Sequence, residues 1–275
     1  MTIAQVGAWN EGRVGKARSL KVIQSHYRVV AALVIREMST RFGSKPGGYA
    51  WAVLDPIAHI AFMSFIFMGI ARHPPLGNSF VLFFATGYLG FQFYQSAAGY
   101  VTSAVTSNRA LLAYPNVAPI DTVVARLILQ FGTNIVVSIA VLLPIIATLK
   151  HPVEITWVPL IEGTTAASLL ALGIAFTNVV LFQKSPLYEQ LFSIISRPLF
   201  MLSGVFYLPD SLPTQLRDII LINPVAHMII SFRKGFYPEY RAAGYDPFYM
   251  YIFAFSALAF GMCLFTSSKR VLRSR

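Results

Sequence analysis

The chain has 275 residues, 56% of them hydrophobic and only 12% charged, well under the roughly 25% charged content of soluble domains, so a soluble globular protein is excluded. Its formal charge of +11 is unevenly placed. Arg13, Lys16, Arg18, Lys21, Arg28, Arg36, Arg41 and Lys45 precede the first apolar span against only Glu11 and Glu37, and Lys269, Arg270, Arg273 and Arg275 follow the last without an acid, a pattern that reports membrane topology and anionic lipid, not nucleic acid.

Residues 1–21 read as a polar, glycine-containing cytoplasmic tail. The apolar run 29–35 behind this basic leader is followed by Arg36 and Glu37 instead of a small-residue cleavage site, so no signal peptide is expected. Residues 22–48 read as an interfacial amphipathic helix and linker. Tyr27, Val30, Ala31, Val34, Ile35, Met38 and Phe42 recur at three- and four-residue steps, with Ser25, Arg28, Arg36 and Ser39 opposite. Gly43, Pro46, Gly47 and Gly48 break the helix before Trp51.

Six stretches are then long enough to span a bilayer, which takes roughly 20 residues at ~1.5 Å rise: 51–71, 80–102, 123–149, 160–183, 188–207 and 247–267. The expected fold is an all-α membrane protein: six transmembrane helices over 49–268, the interfacial helix before them, outer re-entrant helices, and a basic tail at 269–275. With six spans both termini share one side, and the positive charge makes it cytoplasmic. On the other side Arg72, Lys150, Arg217, Arg233, Lys234 and Arg241 are roughly balanced by Glu154, Asp210, Asp218, Glu239 and Asp246.

Asp55, Pro56 and His59 open the first span, where ordinary capping accounts for them; a proton relay is the alternative. In the second span Phe80, Phe84, Tyr88 and Phe91 share one face, and Gly87, Gly90 and Tyr94 another. The glycines predict close helix contact, and the rings serve either packing or sugar faces. The loop 103–120 contains SNRALLAYP, in which Ser107 or Asn108 is expected to cap a short helix that Pro115 ends. Leu111, Leu112 and Tyr114 on such a loop need a cover, either a partner protein or the headgroup layer and neighbouring spans. In the third span Arg126, Gln130, Asn134 and Ser138 repeat at four-residue steps on one face. This ladder suits either polymer hydroxyls or interhelical hydrogen bonds of roughly 1 kcal/mol each.

Arg197 sits mid-way in the fifth span before Pro198. An arginine there costs roughly 2.5–3.5 kcal/mol on insertion, so it needs either a water-filled pathway carrying an anionic polymer or a carboxylate partner. Residues 209–245 are too patterned for a plain loop. Leu212, Leu216, Ile219 and Ile220 suit one short helix, Asn223-Pro224 breaks it, and a second ends near Arg233-Lys234-Gly235. Arg233 and Lys234 are expected to meet either an anionic polymer or lipid headgroups. Cys263 is the only cysteine and the five histidines lack ligand spacing, so neither a disulfide nor a metal site is expected.

The stretch 36–56, REMSTRFGSKPGGYAWAVLDP, resembles the N-terminal signature of ABC-2 type transporter permeases, and within them most resembles the branch that exports capsular polysaccharide from Gram-negative bacteria. A second signature, Ser203-Gly204-Val205-Phe206-Tyr207, Leu212-Pro213, Asn223-Pro224 and Arg233, resembles the family's fifth span and outer re-entrant helices. Together they cover about residues 25–268. The resemblance implies a permease of the bacterial inner membrane that is not itself an enzyme. ATP and Mg would be bound by a separate ATPase subunit, and two permeases would pair with two ATPases. The chain has no G-x-x-x-x-G-K-[ST] loop with which to hold a nucleotide itself. It further implies coupling to the ATPase through Arg36, Glu37, Arg41, Phe42, Arg109, Leu111, Leu112 and Tyr114. The translocation pathway would involve Tyr88, Phe91, Tyr94, Arg126, Gln130, Asn134 and Arg197, and the outer re-entrant region Asn223, Pro224, Arg233 and Lys234. Implied partners are a second permease copy, periplasmic adaptor and outer-membrane export proteins, membrane lipid and the polysaccharide. Export of O-antigen, another glycolipid or a drug, and a proton-driven carrier using Asp55 and His59, remain as rival readings.

Overall fold

The computed structural model describes residue 24 and residues 26–41, 47–114 and 117–268. Ser25, Phe42, the helix break at 43–46, Pro115 and the tails 1–21 and 269–275 lie outside them. Among the described residues all regular structure is helical. Helix α1 covers 26–41. It is followed by α2 (Ala50–Ile70), α3 (Phe80–Thr102), the short α4 (Ala104–Ser107) and α5 (Arg109–Leu112), α6 (Pro119–Ala147), α7 (Trp157–Lys184), α8 (Pro186–Leu202), α9 (Thr214–Leu221), α10 (Pro224–Lys234) and α11 (Pro247–Ser267).

Polar residue followed by proline is the chain's recurrent start signal. The side chains of Ser185, Asn223 and Asp246 each accept a bond from a backbone N–H in the first turn that follows, with proline at the first helical position. Proline loses nothing there, because that N–H has no intrahelical acceptor. The fifth predicted span, 188–207, ends earlier than expected. Helix α8 stops at Leu202, and Gly204 turns the chain at φ +75°, a conformation that favours glycine.

Among the described residues four helices are long and apolar enough to cross a membrane: α2, α6, α7 and α11. Helix α8 has 17 residues. Helix α3 has 23 but carries Gln92, Gln95 and Ser96, and the reason is its position. It packs against α2, α6, α7 and α10 and buries sixteen of its residues, so its surface answers to protein more than to lipid.

Helix α7 is the other centre of the bundle, and its closest neighbour is α11. A Cβ at Gly173 would lie 2.5 Å from backbone atoms of Ala257 and Leu258. We expect Gly173→Ala to force these helices apart and cost about 1–3 kcal/mol, seen as a lower melting temperature in detergent. Gly132→Ala, where nothing lies within 4 Å, is the control and should melt as the native chain does. The glycine face predicted on α3 does make close contact: at Gly90 a Cβ would lie 3.2 Å from the Phe232 Cβ of α10.

A buried ionic cluster joins the amphipathic helix to the bundle

Helix α1 has two faces. Tyr27, Ile35 and Met38 are 75%, 67% and 45% exposed, so much of the apolar stripe read from the sequence points away from the bundle. Leu33 and Glu37 are each 5% exposed and point inward. A carboxylate with so little water needs partners, and Glu37 has three. Arg126 Nε of α6 lies 3.1 Å from Oε2. The Tyr100 hydroxyl of α3 donates to Oε2 at 2.8 Å, and Asn108 Nδ2 donates to Oε1 at 2.6 Å.

The partners are themselves held. Arg126 Nη1 donates to Ser103 Oγ at 2.7 Å and to the Tyr100 carbonyl at 3.1 Å. Arg36 donates to Asn108 Oδ1 at 2.6 Å. The guanidinium carbons of Arg41 and Arg126 lie 4.0 and 4.5 Å from the centre of the Tyr100 ring, within cation–π range. Farther along the same two helices, His26 Nδ1 meets Asp121 Oδ1 at 2.9 Å. One set of bonds thus ties α1 to α3, to the turn between α4 and α5, and to α6.

Burial pushes the Glu37 carboxyl up, but hydrogen bonds from Asn108, Tyr100 and Arg126, with the charge of Arg126, outweigh it and hold the pKa below the ordinary carboxylate value. A depressed folded-state pKa means that this stabilisation is complete above the ordinary value and is lost as pH falls through the lowered one. Removing only the hydroxyl, as Tyr100→Phe, is expected to cost about 1.5–3 kcal/mol, the range for a hydrogen bond to a charged group, measured by thermal unfolding in detergent at neutral pH. The difference from the native chain should shrink on acidification below about pH 4.

The polar ladder of α6 makes interhelical bonds, one of the two outcomes the sequence left open. Gln130 Nε2 donates to Ser96 Oγ at 3.0 Å and to Asn134 Oδ1 at 2.7 Å, and Arg41 donates to Gln130 Oε1 at 2.5 Å. Gln92 continues the chain to the Tyr88 hydroxyl at 2.9 Å, which lies 3.5 Å from Asp55 Oδ2. Residues assigned separately to coupling (Arg36, Glu37, Arg41) and to a pathway (Arg126, Gln130, Asn134) therefore belong to one network. Ser138, the last rung, has no hydrogen-bond partner for its buried hydroxyl among the described residues.

Among the other predicted residues, Tyr88, Phe91 and Tyr94 are buried, and Tyr88 and Phe91 pack edge-on against Phe200 of α8 at 6.1 and 5.0 Å. Arg109 is exposed, Leu111 and Leu112 half-buried and Tyr114 63% exposed. Helix α5 lacks the expected side-chain cap, because Asn108 Oδ1, the atom that would accept from its first turn, takes a bond from Arg36 instead. Arg197 is exposed and forms no ion pair among the described residues. It lines a cleft of about 380 Å³ with Glu189, Ser193, Gln95 and Gly99.

Arg233 requires a correction. It meets neither polymer nor headgroup, being fully buried between α10 and α3. Its Nη1 donates to the carbonyls of Gly204 at 2.6 Å and Tyr207 at 3.2 Å, its Nη2 to that of Val205 at 2.6 Å, and its guanidinium lies 4.2 Å from the Phe83 ring centre. Lys234 is half-buried with Nζ 4.8 Å from the Tyr245 ring centre. Asn223 caps α10 ahead of Pro224 and donates to Ser203 Oγ at 2.9 Å. The Ser203–Tyr207 segment and the Asn223…Arg233 segment, distant in sequence, form one clasp.

Tyr100, Ser103 and Asp121 were missed as site residues, and Asn108 was read as a cap. The usable signal was Glu37 itself, an acid four residues from Leu33 and from Arg41 on the flank of the apolar stripe.

The model of the ABC-2 type transporter family matches residues 28–237, from α1 to just past α10. The chain is 30% identical over 245 residues, 88% of its own length and 94% of the relative's, to the polysialic acid transport protein KpsM of Escherichia coli. It is 26% identical over 251 residues (90% and 94%) to the capsule polysaccharide export inner-membrane protein CtrC of Neisseria meningitidis serogroup A. To the capsule polysaccharide export inner-membrane protein BexB of Haemophilus influenzae it is 26% identical over 215 residues (77% and 80%). With its buried cluster and most of its length within that match, the chain belongs to the ABC-2 type transporter family.

Proposed function

We propose that this chain is the permease subunit of an exporter that moves a cell-surface polysaccharide, of the capsular kind, across the bacterial inner membrane, driven by ATP and Mg on a separate ATPase. The observation that carries this reading is the Glu37 cluster. A push on α1 or on the loop at Arg109, Leu111, Leu112 and Tyr114 reaches α3 and α6 through the same buried ion pair and hydrogen bonds. The names of the capsule-export relatives supply the cargo.

In this reading α3 and α8 join the four long apolar helices as spans, giving six over 49–268, with both termini cytoplasmic and α9 and α10 as the outer re-entrant pair. Helix α8 buries none of its residues, which fits cover by a second copy and a pathway between the two. Arg197 then faces that pathway beside Glu189 and Ser193, where it attracts an acidic polymer. Periplasmic adaptor and outer-membrane export proteins would receive the polymer beyond it.

Tagging the chain, solubilising its native membranes mildly and identifying co-purifying proteins tests the reading. A soluble ATPase with a phosphate-binding loop is expected in stoichiometric amount. An active chain that repeatedly comes without one overturns the reading. In the same cells Arg197→Glu is expected to lower surface polymer severalfold while the chain still accumulates in the membrane.

A further inference from the structure

A cavity of about 360 Å³ lies between α2, α3 and α6, closed at the α1 end by Arg41. It is roughly a dozen waters in volume, far more than one structural water needs. Gln92, Ser96 and Asn134 give it amide and hydroxyl walls. Arg41 and Asp55 place opposite charges on its lining. The Ser138 hydroxyl also lines it; Ser138 is 8% exposed and its oxygen is unpartnered. An unsatisfied buried hydroxyl in a polar cavity signals a missing partner.

The opening is at α2, where Trp51 is 60% exposed and the Asp55 side chain 59% exposed. A tryptophan at the start of a span sits at headgroup level. The helices that bound the cavity also expose apolar side chains, Leu54 on α2 and Val136 on α6 among them, so acyl chains can lie against the same helices. The exported polymer is a poorer occupant. Gln95 and Gly99 of the Arg197 cleft lie on a strip of α3 next to Gln92 and Ser96 of the cavity, but the cleft is otherwise lined by α7 and α8, and the cavity by α1, α2 and α6. Asp55 would also repel an acidic chain at the opening.

We propose that this cavity holds the headgroup of one zwitterionic phospholipid, phosphatidylethanolamine, with its phosphate against Arg41 and its ammonium against Asp55. A guanidinium offers forked donors to phosphate, and a carboxylate accepts from an ammonium. The amide and hydroxyl walls, Ser138 among them, meet the remaining headgroup and glycerol oxygens. This site needs only that the chain be membrane-embedded, so it stands apart from the identity of the cargo.

Native mass spectrometry of the purified full-length chain, titrated with phosphatidylethanolamine or phosphatidylglycerol, tests it. The native chain is expected to retain one phosphatidylethanolamine about tenfold more tightly than phosphatidylglycerol. Asp55→Asn should erase that preference, and Ser138→Met, which fills the cavity, should remove the bound lipid. Thermal unfolding checks that both variants are folded; should Ser138→Met fail, Asp55→Asn decides, since its side chain is largely exposed. Equal retention of the two lipids, no retained lipid, or displacement of phosphatidylethanolamine by soluble fragments of the exported polymer each overturns the proposal.

Discussion

Glu37→Ala is expected to abolish export while the chain still inserts in the membrane. The substitution leaves Arg126, 6% exposed, without its carboxylate, and breaking a buried pair by removing one partner costs about 3–5 kcal/mol. It also takes the acceptor from Tyr100 and Asn108, so the turn between α4 and α5 keeps only its Arg36 bond to α1. Arg126→Met should destabilise to a similar extent, because it strands Glu37. The double variant Glu37→Leu with Arg126→Met should recover much of the stability, since an apolar pair of similar volume often equals a buried ion pair. It should not recover export, because Tyr100 and Asn108 then have no carboxylate on α1 to pull through. Stability is read from thermal unfolding in detergent and export from surface polymer. If the double variant exports as the native chain does, the cluster holds the fold together but transmits no force.

How far the sequence anticipated this site depends on the range of each interaction. The ladder of Arg126, Gln130, Asn134 and Ser138 was visible because helix periodicity is local, and all four are buried on one face. The glycines of α3 were legible for the same reason. The partner of Glu37 was not, since the ion pair joins residues 37 and 126 and no spacing rule pairs helices across such an interval. The three- and four-residue apolar steps of α1 are visible in the sequence, but nothing local says whether they face lipid or protein; Glu37, outside the stripe, marks the protein side. The fifth span was drawn too long because Val205, Phe206 and Tyr207 are apolar. Their segment leaves the helix at Gly204, and its carbonyls bond to Arg233 instead.

That clasp carries the second large effect. Arg233→Met keeps much of the side chain's volume but removes the donors to three carbonyls. An unmet buried acceptor costs about 1–3 kcal/mol, so even with relief from burying a cation the loss should be about 3–5 kcal/mol. Arg233→Lys should fall between, since one ammonium cannot reproduce the forked geometry. Gly87→Ala approaches the same clasp from α3. Its Cβ would stand 2.5 Å from Arg233 Nη2 and 2.9 Å from the Val205 carbonyl oxygen. The guanidinium is pinned by its own bonds and the carbonyl belongs to the backbone, so neither can yield freely, and about 1–3 kcal/mol is expected. Melting temperature in detergent ranks the three variants, and limited proteolysis should cut Arg233→Met faster around residues 203–209 than elsewhere. Uniform cleavage with a native melting temperature would mean that the buried arginine only fills space. Faster cutting confined to that segment would mean that it holds the end of α8 against α10, and so fixes the C-terminal end of the helix on which Arg197 lies.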